Sequence, residues 1–191
     1  MNPNVPIRGP IPIRHCNICG SPVVHRVPDG DNAPRAVCSA CDHIQYQNPK
    51  LIVGSVPVWE DRVLLCRRAI EPRHGKWTLP AGFMENEETA AEGAAREAME
   101  EANARIEVEQ LYTFFSVPHI SQVYVMFRAR LLDLDFSPGP ESLEVKLVRE
   151  DEVPWDELAF TSVRRTLQHF FADRRAGAFL PRFDDVRPPE R

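Results

Sequence analysis

The sequence predicts an α/β domain preceded by a small metal-held ribbon, and three features carry that expectation. Four of the five cysteines stand as Cys16-x2-Cys19 and Cys38-x2-Cys41, the spacing of a tetrahedral zinc site. From residue 51 onward, apolar runs with strand period alternate with loops, and two segments, 89–103 and 161–177, carry helix start and stop residues. The 191 residues are 43% hydrophobic and 27% charged, with a net charge of -5. That suits one domain of ordinary size plus an appendage. It gives no global pull toward nucleic acid or an anionic membrane. No stretch nears the roughly eighteen uninterrupted apolar residues of a membrane span. The start, MNPNVPIRGPIPIRH, lacks the apolar core of a signal peptide, so a cytoplasmic protein is expected.

Residues 1–14 contain four prolines and are expected to form an irregular arm. Residues 15–47 read as the ribbon. Each cysteine pair sits on a tight turn, and the loop between them, GSPVVHRVPDGDNAPRAV, has a strand-like run on each side of PDGDN. The stretch is too poor in apolar groups to fold without bond energy from an ion. Nothing points to export, so structural zinc on Cys16, Cys19, Cys38 and Cys41 is preferred to disulfides. His15, His25 and His43 lie nearby, but four thiolates already complete the shell. Cys66, inside RVLLC, reads as a buried small hydrophobe.

YQNPK (46–50) leads into the main domain, residues 48–180. LIVGSVPVW (51–59) and RVLLCRR (62–68) form a hairpin about Glu60 and Asp61, and EPRHGKWTLPAG reads as a loop. Thr89 followed by Glu92 makes a capping box, so a helix starts there and ends near Asn103, with Ala91, Ala94, Ala95, Ala98 and Ala102 on one face. IEVEQLYTFFSV and SQVYVMFRARLL are core strands, and SPGPESLEVKLVR supplies a loop and a further strand. Thr161 is expected to cap a last helix that turns Val163, Leu167, Phe170 and Phe171 inward and stops at Gly177. Residues 181–191 read as a loosely held tail.

Residues 82–104, GFMENEETAAEGAAREAMEEANA, hold seven glutamates. Glu97, Glu100 and Glu101 are three and four apart and are expected to project from one helix face, opposite the alanines. Arg96 is the only basic residue inside the helix. Gly93 lies one turn before Glu97 and costs about 1 kcal/mol relative to alanine, so that face is expected to need room. Hard divalent cations bind clustered carboxylates, and magnesium prefers a few of them together with waters and substrate phosphates. A diphosphate-binding metal site accounts for both the crowded charge and the glycine.

The same stretch resembles the Nudix box: Gly82, Glu88, Arg96, Glu97, Ala98, Glu100, Glu101 and Ala104 fall on its fixed positions. Asn103 stands where that family has glycine, at a helix end that wants a left-handed residue, and asparagine is the next best choice there. With the ribbon, YQNPK, LLCRR, HGKWTLPAGF and PGPESLE, residues 14–175 are similar to the zinc-ribbon Nudix hydrolases, most of all the plant plastid subgroup acting on FAD and ADP-ribose. The resemblance implies a Nudix-type α/β/α sandwich with a mixed sheet. It also implies hydrolysis of the pyrophosphate of a nucleoside diphosphate derivative, FAD or ADP-ribose, with release of AMP.

By the same resemblance, Mg2+ or Mn2+ sits on Glu97, Glu100 and Glu101 with help from the Gly82 carbonyl, while Arg96 orients the carboxylates through ion pairs that include Glu88. A general base comes from the box or a later loop, where Glu141 and Glu144 stand. Arg67 and Arg68 are candidates for holding phosphates, or a solvated strand end. Phe83, Trp77 and Tyr124 are candidates for ring stacking, or core. NADH pyrophosphatases carry a similar ribbon and an SQPWPFPxS motif, but here Ser121 and Gln122 are followed by VYVMF, which disfavours that subgroup. A nucleotide-sensing binding protein is the other alternative, and a broken box would favour it; this box is intact. The ribbon sets Asp29, Asp31 and Asp42 against Arg26 and Arg35, which is no basic patch. The expected partner is a small nucleotide, with no nucleic acid and no membrane; a homodimer stays open.

Overall fold

The computed structural model describes residues 12–187; most of the expected arm and the last four residues of the expected tail lie outside that range. The chain divides into two compact units, with the boundary between Pro49 and Lys50. Among the described residues, no helix is long and apolar enough to cross a membrane.

The first unit is a three-stranded antiparallel sheet of β1 (Val23–Arg26), β2 (Arg35–Cys38) and β3 (Ile44–Gln45), in that order. The PDGDN stretch turns as expected: Asp31 accepts from the N–H groups of Asn32 and Ala33 at 2.7 and 3.2 Å and pairs with Arg35 at 2.9 Å. A carboxylate bonding to the backbone just after it is the usual device by which aspartate holds a turn.

The second unit contains β4 (Lys50–Trp59), β5 (Arg62–Arg68), β6 (Trp77–Thr78), β7 (Ala81–Phe83), α1 (Ala90–Ala102), β8 (Ile106–Val117), β9 (Gln122–Leu131), β10 (Ser142–Val148), α2 (Thr161–Ala176) and β11 (Arg182–Asp185). The sheet runs β10-β5-β4-β9-β8-β11, with β6 on β5 and β7 on β4. It is mixed: β4 with β9 and β8 with β11 are parallel, and the other pairs are antiparallel. Strand alternation divides β5 between two cores. Leu64 and Cys66 face Ala102 and Ala104 at the end of α1, while Val63 and Leu65 join Val163, Leu167, Phe170 and Phe171 of α2. The helices thus cover opposite faces, giving the α/β/α sandwich, and the alanines let α1 lie close to the sheet.

Four details differ from expectation. The β4–β5 hairpin pairs only at Val58 with Val63 and Trp59 with Arg62; farther back β4 turns its edge to β7, from Ile52 with Phe83 to Gly54 with Ala81. Gly54 permits this, because a Cβ there would collide with Ala81 and the Pro80 carbonyl. The segment read as a loop therefore contains two short strands. The stretch after Pro181 is not a loose tail: β11 pairs in parallel with β8, Arg182 ion-pairs with buried Asp173, and Arg165 reaches Asp184 at 2.6 Å. Thr161 is the first residue of α2 rather than its cap, which is Phe160 and offers no side-chain hydrogen bond.

Candidate active site

Glu97 and Glu101 are each only 7% exposed, on a buried stripe of α1 that also holds Gly93, Ala94, Ala98 and Ala102. The acidic face is therefore not opposite the alanines; it is half of the same packed surface, with Glu100 on its solvent flank. The start of α1 is fixed by the expected capping box, in which Thr89 accepts from the Glu92 N–H at 3.2 Å and Glu92 from the Thr89 N–H at 2.8 Å. Strand β7 runs beneath this stripe. A Cβ at Gly82 would collide with the Glu97 carboxylate, and the Ala81 N–H donates to Glu101 Oε2 at 3.3 Å.

Arg96 ties the carboxylates together. Its guanidinium grips Glu88 with two bonds of 2.9 and 3.0 Å, donates from Nη1 to Glu97 at 2.7 Å and to Glu100 at 3.0 Å, and reaches the Phe83 carbonyl at 3.1 Å. Only a planar fork with five donors can hold three acids and a carbonyl in fixed geometry. The Arg96 hydrogen bonds, followed by the Glu85 N–H, hold the Glu88 carboxyl down at about 2.

The space beside Gly93 has an occupant, and it is not a ligand. A Cβ there would lie 2.6 Å from Glu88 Oε1 and 2.7 Å from Val53 Cγ2. Gly93→Ala should gain about 1 kcal/mol of helix propensity yet lose about 1 to 3 kcal/mol by overpacking. A lower melting temperature is the expected result, and a rise would show that Glu88 can shift freely.

Burial, and next the charge of Glu97, pushes the Glu101 carboxyl up to about 8; Arg68 and the Ala81 N–H offset this only in part. Burial also raises Glu97, against the pull of Arg96. Glu97 Oε2, Glu100 Oε1 and Glu101 Oε1 have no hydrogen-bond partner among the described residues, and all three side chains line a cavity of about 690 Å³. Free carboxylate oxygens at one cavity wall are the ligand type a hard divalent cation takes, but among the described residues only the four cysteines already stand close enough together to hold an ion, so these three acids have to draw together to share one.

Arg68, Phe83, Tyr124 and Glu141 also line this cavity. Arg68 donates to the Pro72 carbonyl at 2.9 Å and stacks its guanidinium 5.3 Å from the Phe160 ring centre. Phe83 is half exposed, with Lys50 Nζ 4.8 Å from its ring centre. Arg67 and Glu144, by contrast, do not reach the cavity. Neighbours on a strand point to opposite faces, so Arg67 turns away, bonds the Gly75 carbonyl at 3.0 Å and faces Glu144 at 3.8 Å. Trp77 is buried in the core with α2. Sequence reading missed Ile52, Met126 and Phe160, which form the cavity's apolar wall. The pairing of Ile52 with Tyr124 across β4 and β9 places Ile52, and by strand alternation Met126, on that wall; Phe160 arrives from the start of α2, and no sequence pattern marks it.

The NUDIX domain family model matches residues 49–172. The chain belongs to the Nudix family. The Nudix N-terminal family, a zinc ribbon, matches residues 14–47. The crystal structure of a NUDIX hydrolase from Nitrosomonas europaea is 55% identical with a TM-score of 0.86, covering 91% of this Nudix chain and 100% of that one. The NAD-capped RNA hydrolase NudC of Shigella flexneri is 28% identical over 85% of this chain and 62% of its own length. An ADP-ribose pyrophosphatase from Streptococcus suis shares the fold at 22% identity and a TM-score of 0.57, over 72% of this chain and 100% of that one. The chain spans less than two thirds of the first curated relatives it matches, 64%, 62% and 46% of their lengths.

The ribbon of this Nudix chain brings its four cysteines together, all Sγ atoms lying within 4.8 Å of one another. Cys16 and Cys41 are 3.8 Å apart, Cys19 and Cys38 3.4 Å, and Cys19 and Cys41 3.5 Å. A regular tetrahedron with zinc–sulfur bonds of about 2.3 Å has edges of about 3.8 Å, so the thiols fit that ion. Backbone N–H groups of Ile18, Ala40 and Cys41 point at Cys16 and Cys38, each at 3.4 Å, as a thiolate requires. His15, His25 and His43 are outside the cluster.

Proposed function

We propose that this Nudix pyrophosphohydrolase cleaves FAD or ADP-ribose between its phosphates and releases AMP, with Mg2+ or Mn2+ on Glu97, Glu100 and Glu101 and zinc confined to the ribbon. The observation that carries this reading is one cavity combining a wall of free carboxylate oxygens with an apolar wall of Ile52, Tyr124, Met126 and Phe160. Its volume of about 690 Å³ is within the range of small-molecule sites and leaves space for a ring beyond the diphosphate.

Glu97, Glu100 and Glu101 would hold the divalent cation, which would supply withdrawal of charge from the phosphate oxygens. The chain supplies the rest. Arg96 holds Glu97 and Glu100 in one orientation, and Arg68 offers its guanidinium to a phosphate. Glu141 accepts a proton from water as the water oxygen bonds to one phosphorus and the bridging P–O bond breaks. Glu141 is preferred to Glu144 because only the former lines the cavity. The products are AMP and the phosphomonoester of the other half.

NADH or another NAD-derived substrate is the second reading, favoured by the likeness to the NAD-capped RNA hydrolase over 85% of the chain. The absence of SQPWPFPxS after the box counts against it. Turnover of FAD, ADP-ribose, NADH and a nucleoside triphosphate with magnesium, followed by product analysis, separates the two. FAD or ADP-ribose should show the highest kcat/KM. A single stacked ring or hydrogen bond shifts such preferences by about ten- to a hundredfold, so faster turnover of NADH would reject the assignment.

A further inference from the structure

The segment joining β9 to β10 reaches the cavity by way of the last turn of α1. Asn103 ends that helix with φ 48° and ψ 28°, and its N–H bonds to the carbonyls of Ala98 and Met99. Glycine would fill this backbone role as well. The side chain does what glycine cannot: the two Nδ2 hydrogens are shared among the Ser137 carbonyl and hydroxyl, both at 3.1 Å, and the Pro138 carbonyl at 3.4 Å. Beside it the Ser137 N–H bonds to the Ala102 carbonyl and the Gly139 N–H to the Glu101 carbonyl, both at 3.0 Å. These are carbonyls that a helix end leaves without partners. The approach is so close that a Cβ at Gly139 would collide with the Glu100 carbonyl. Two residues on, the Ala69 N–H bonds to the Glu141 carbonyl at 2.8 Å, and Glu141 lines the cavity beside Glu97, Glu100 and Glu101.

We propose that Asn103 is a positioning residue for the hydrolysis: its amide staples residues 137–139 to the end of α1 and so fixes Glu141 relative to the helix that carries Glu97 and Glu101. The inference rests on the reading of Glu141 as proton acceptor. It gives the departure from the box a mechanical reason. Glycine would preserve the helix end but leave residues 137–139 held to α1 by two backbone bonds, with the Ala69 bond to Glu141 tying the segment to β5 instead, and a small displacement of a proton acceptor costs rate more than binding.

The test compares the full-length wild type, Asn103→Gly, Glu141→Gln and the double variant. It uses FAD and ADP-ribose with magnesium, and amide exchange at Ser137 and Gly139 followed by NMR. Asn103→Gly should fold normally, because glycine is favoured in a left-handed cap. Exchange at both amides should quicken by about tenfold, and kcat should fall by about tenfold with KM within about twofold, the scale of one lost hydrogen bond. In the double variant kcat should match Glu141→Gln alone within about twofold. A tenfold loss repeated on top of Glu141→Gln, or Asn103→Gly with wild-type kcat or unchanged exchange, overturns the proposal. Normal turnover by Glu141→Gln rejects both the proton-acceptor reading and the inference built on it. If wild type cleaves neither substrate, the functional reading fails and exchange alone decides whether the staple exists.

Discussion

Glu97→Gln and Glu101→Gln should each lower kcat by at least about a hundredfold while the protein stays folded, because charge stabilisation through a metal contributes several kcal/mol to such reactions. Both side chains present a free oxygen to the cavity from a buried position, so neither can be replaced by water without changing the wall. Glutamine keeps the shape and removes the negative charge. Steady-state turnover with saturating magnesium, alongside circular dichroism, makes the comparison; near-normal turnover in either variant would reject the metal assignment.

The Glu101 variant carries a second consequence, in stability. The carboxyl is pushed up to about 8 in the folded protein from an ordinary 4.5, first by burial and then by Glu97. Between those pH values the folded chain keeps a proton that the unfolded chain has lost, so stability falls as pH rises through that window. Glutamine cannot ionise. The metal-free Glu101→Gln protein should therefore melt higher than wild type at pH 8 and about the same at pH 5, and magnesium should raise the wild-type melting temperature more at pH 8. Equal melting at both pH values would mean that the carboxylate is hydrated rather than buried.

Much of this was legible from residue types at fixed spacing. Helix α1 announces itself by Thr89 with Glu92 and by Asn103, because capping is local chemistry that needs no tertiary information. The cysteine pairs are equally local. What the sequence hides is register. Hydrophobic patterning takes glutamate for surface, and the burial of Glu97 and Glu101 comes from β7 passing beneath them, a close approach at Gly82 that motif spacing alone does not reveal. Strand period requires Arg67 and Arg68 to point apart, but only the pairing of β10 with β5 decides which one meets the cavity. Strand β11 has no apolar alternation; ion pairs to Asp173 and Arg165 hold it, and these partners become neighbours only after α2 has packed.

Chelation of zinc is expected to unfold residues 12–49 altogether. The buried residues of this unit are Cys16, Pro28, Ala36, Val37 and Cys38, two of them proposed ligands, while Val24, Val27 and Tyr46 stay at least half exposed. Such a core is too small to hold the unit folded by itself. Structural zinc offsets that deficit, with about 10 to 16 kcal/mol in small zinc-held peptides. The second unit has its own cores on both faces of its sheet and should keep its helical signal. The purified protein should contain about one zinc per chain. After treatment with a strong chelator, Cys16, Cys19, Cys38 and Cys41 should become reactive toward a thiol reagent while Cys66, 1% exposed, stays protected. Cys38→Ser should reproduce the loss of ribbon structure without chelator. Because four thiolates leave no open position on the ion, zinc added without magnesium should not support turnover. A zinc-free protein whose β1 and β2 amides remain dispersed by NMR would show that the ribbon holds itself together.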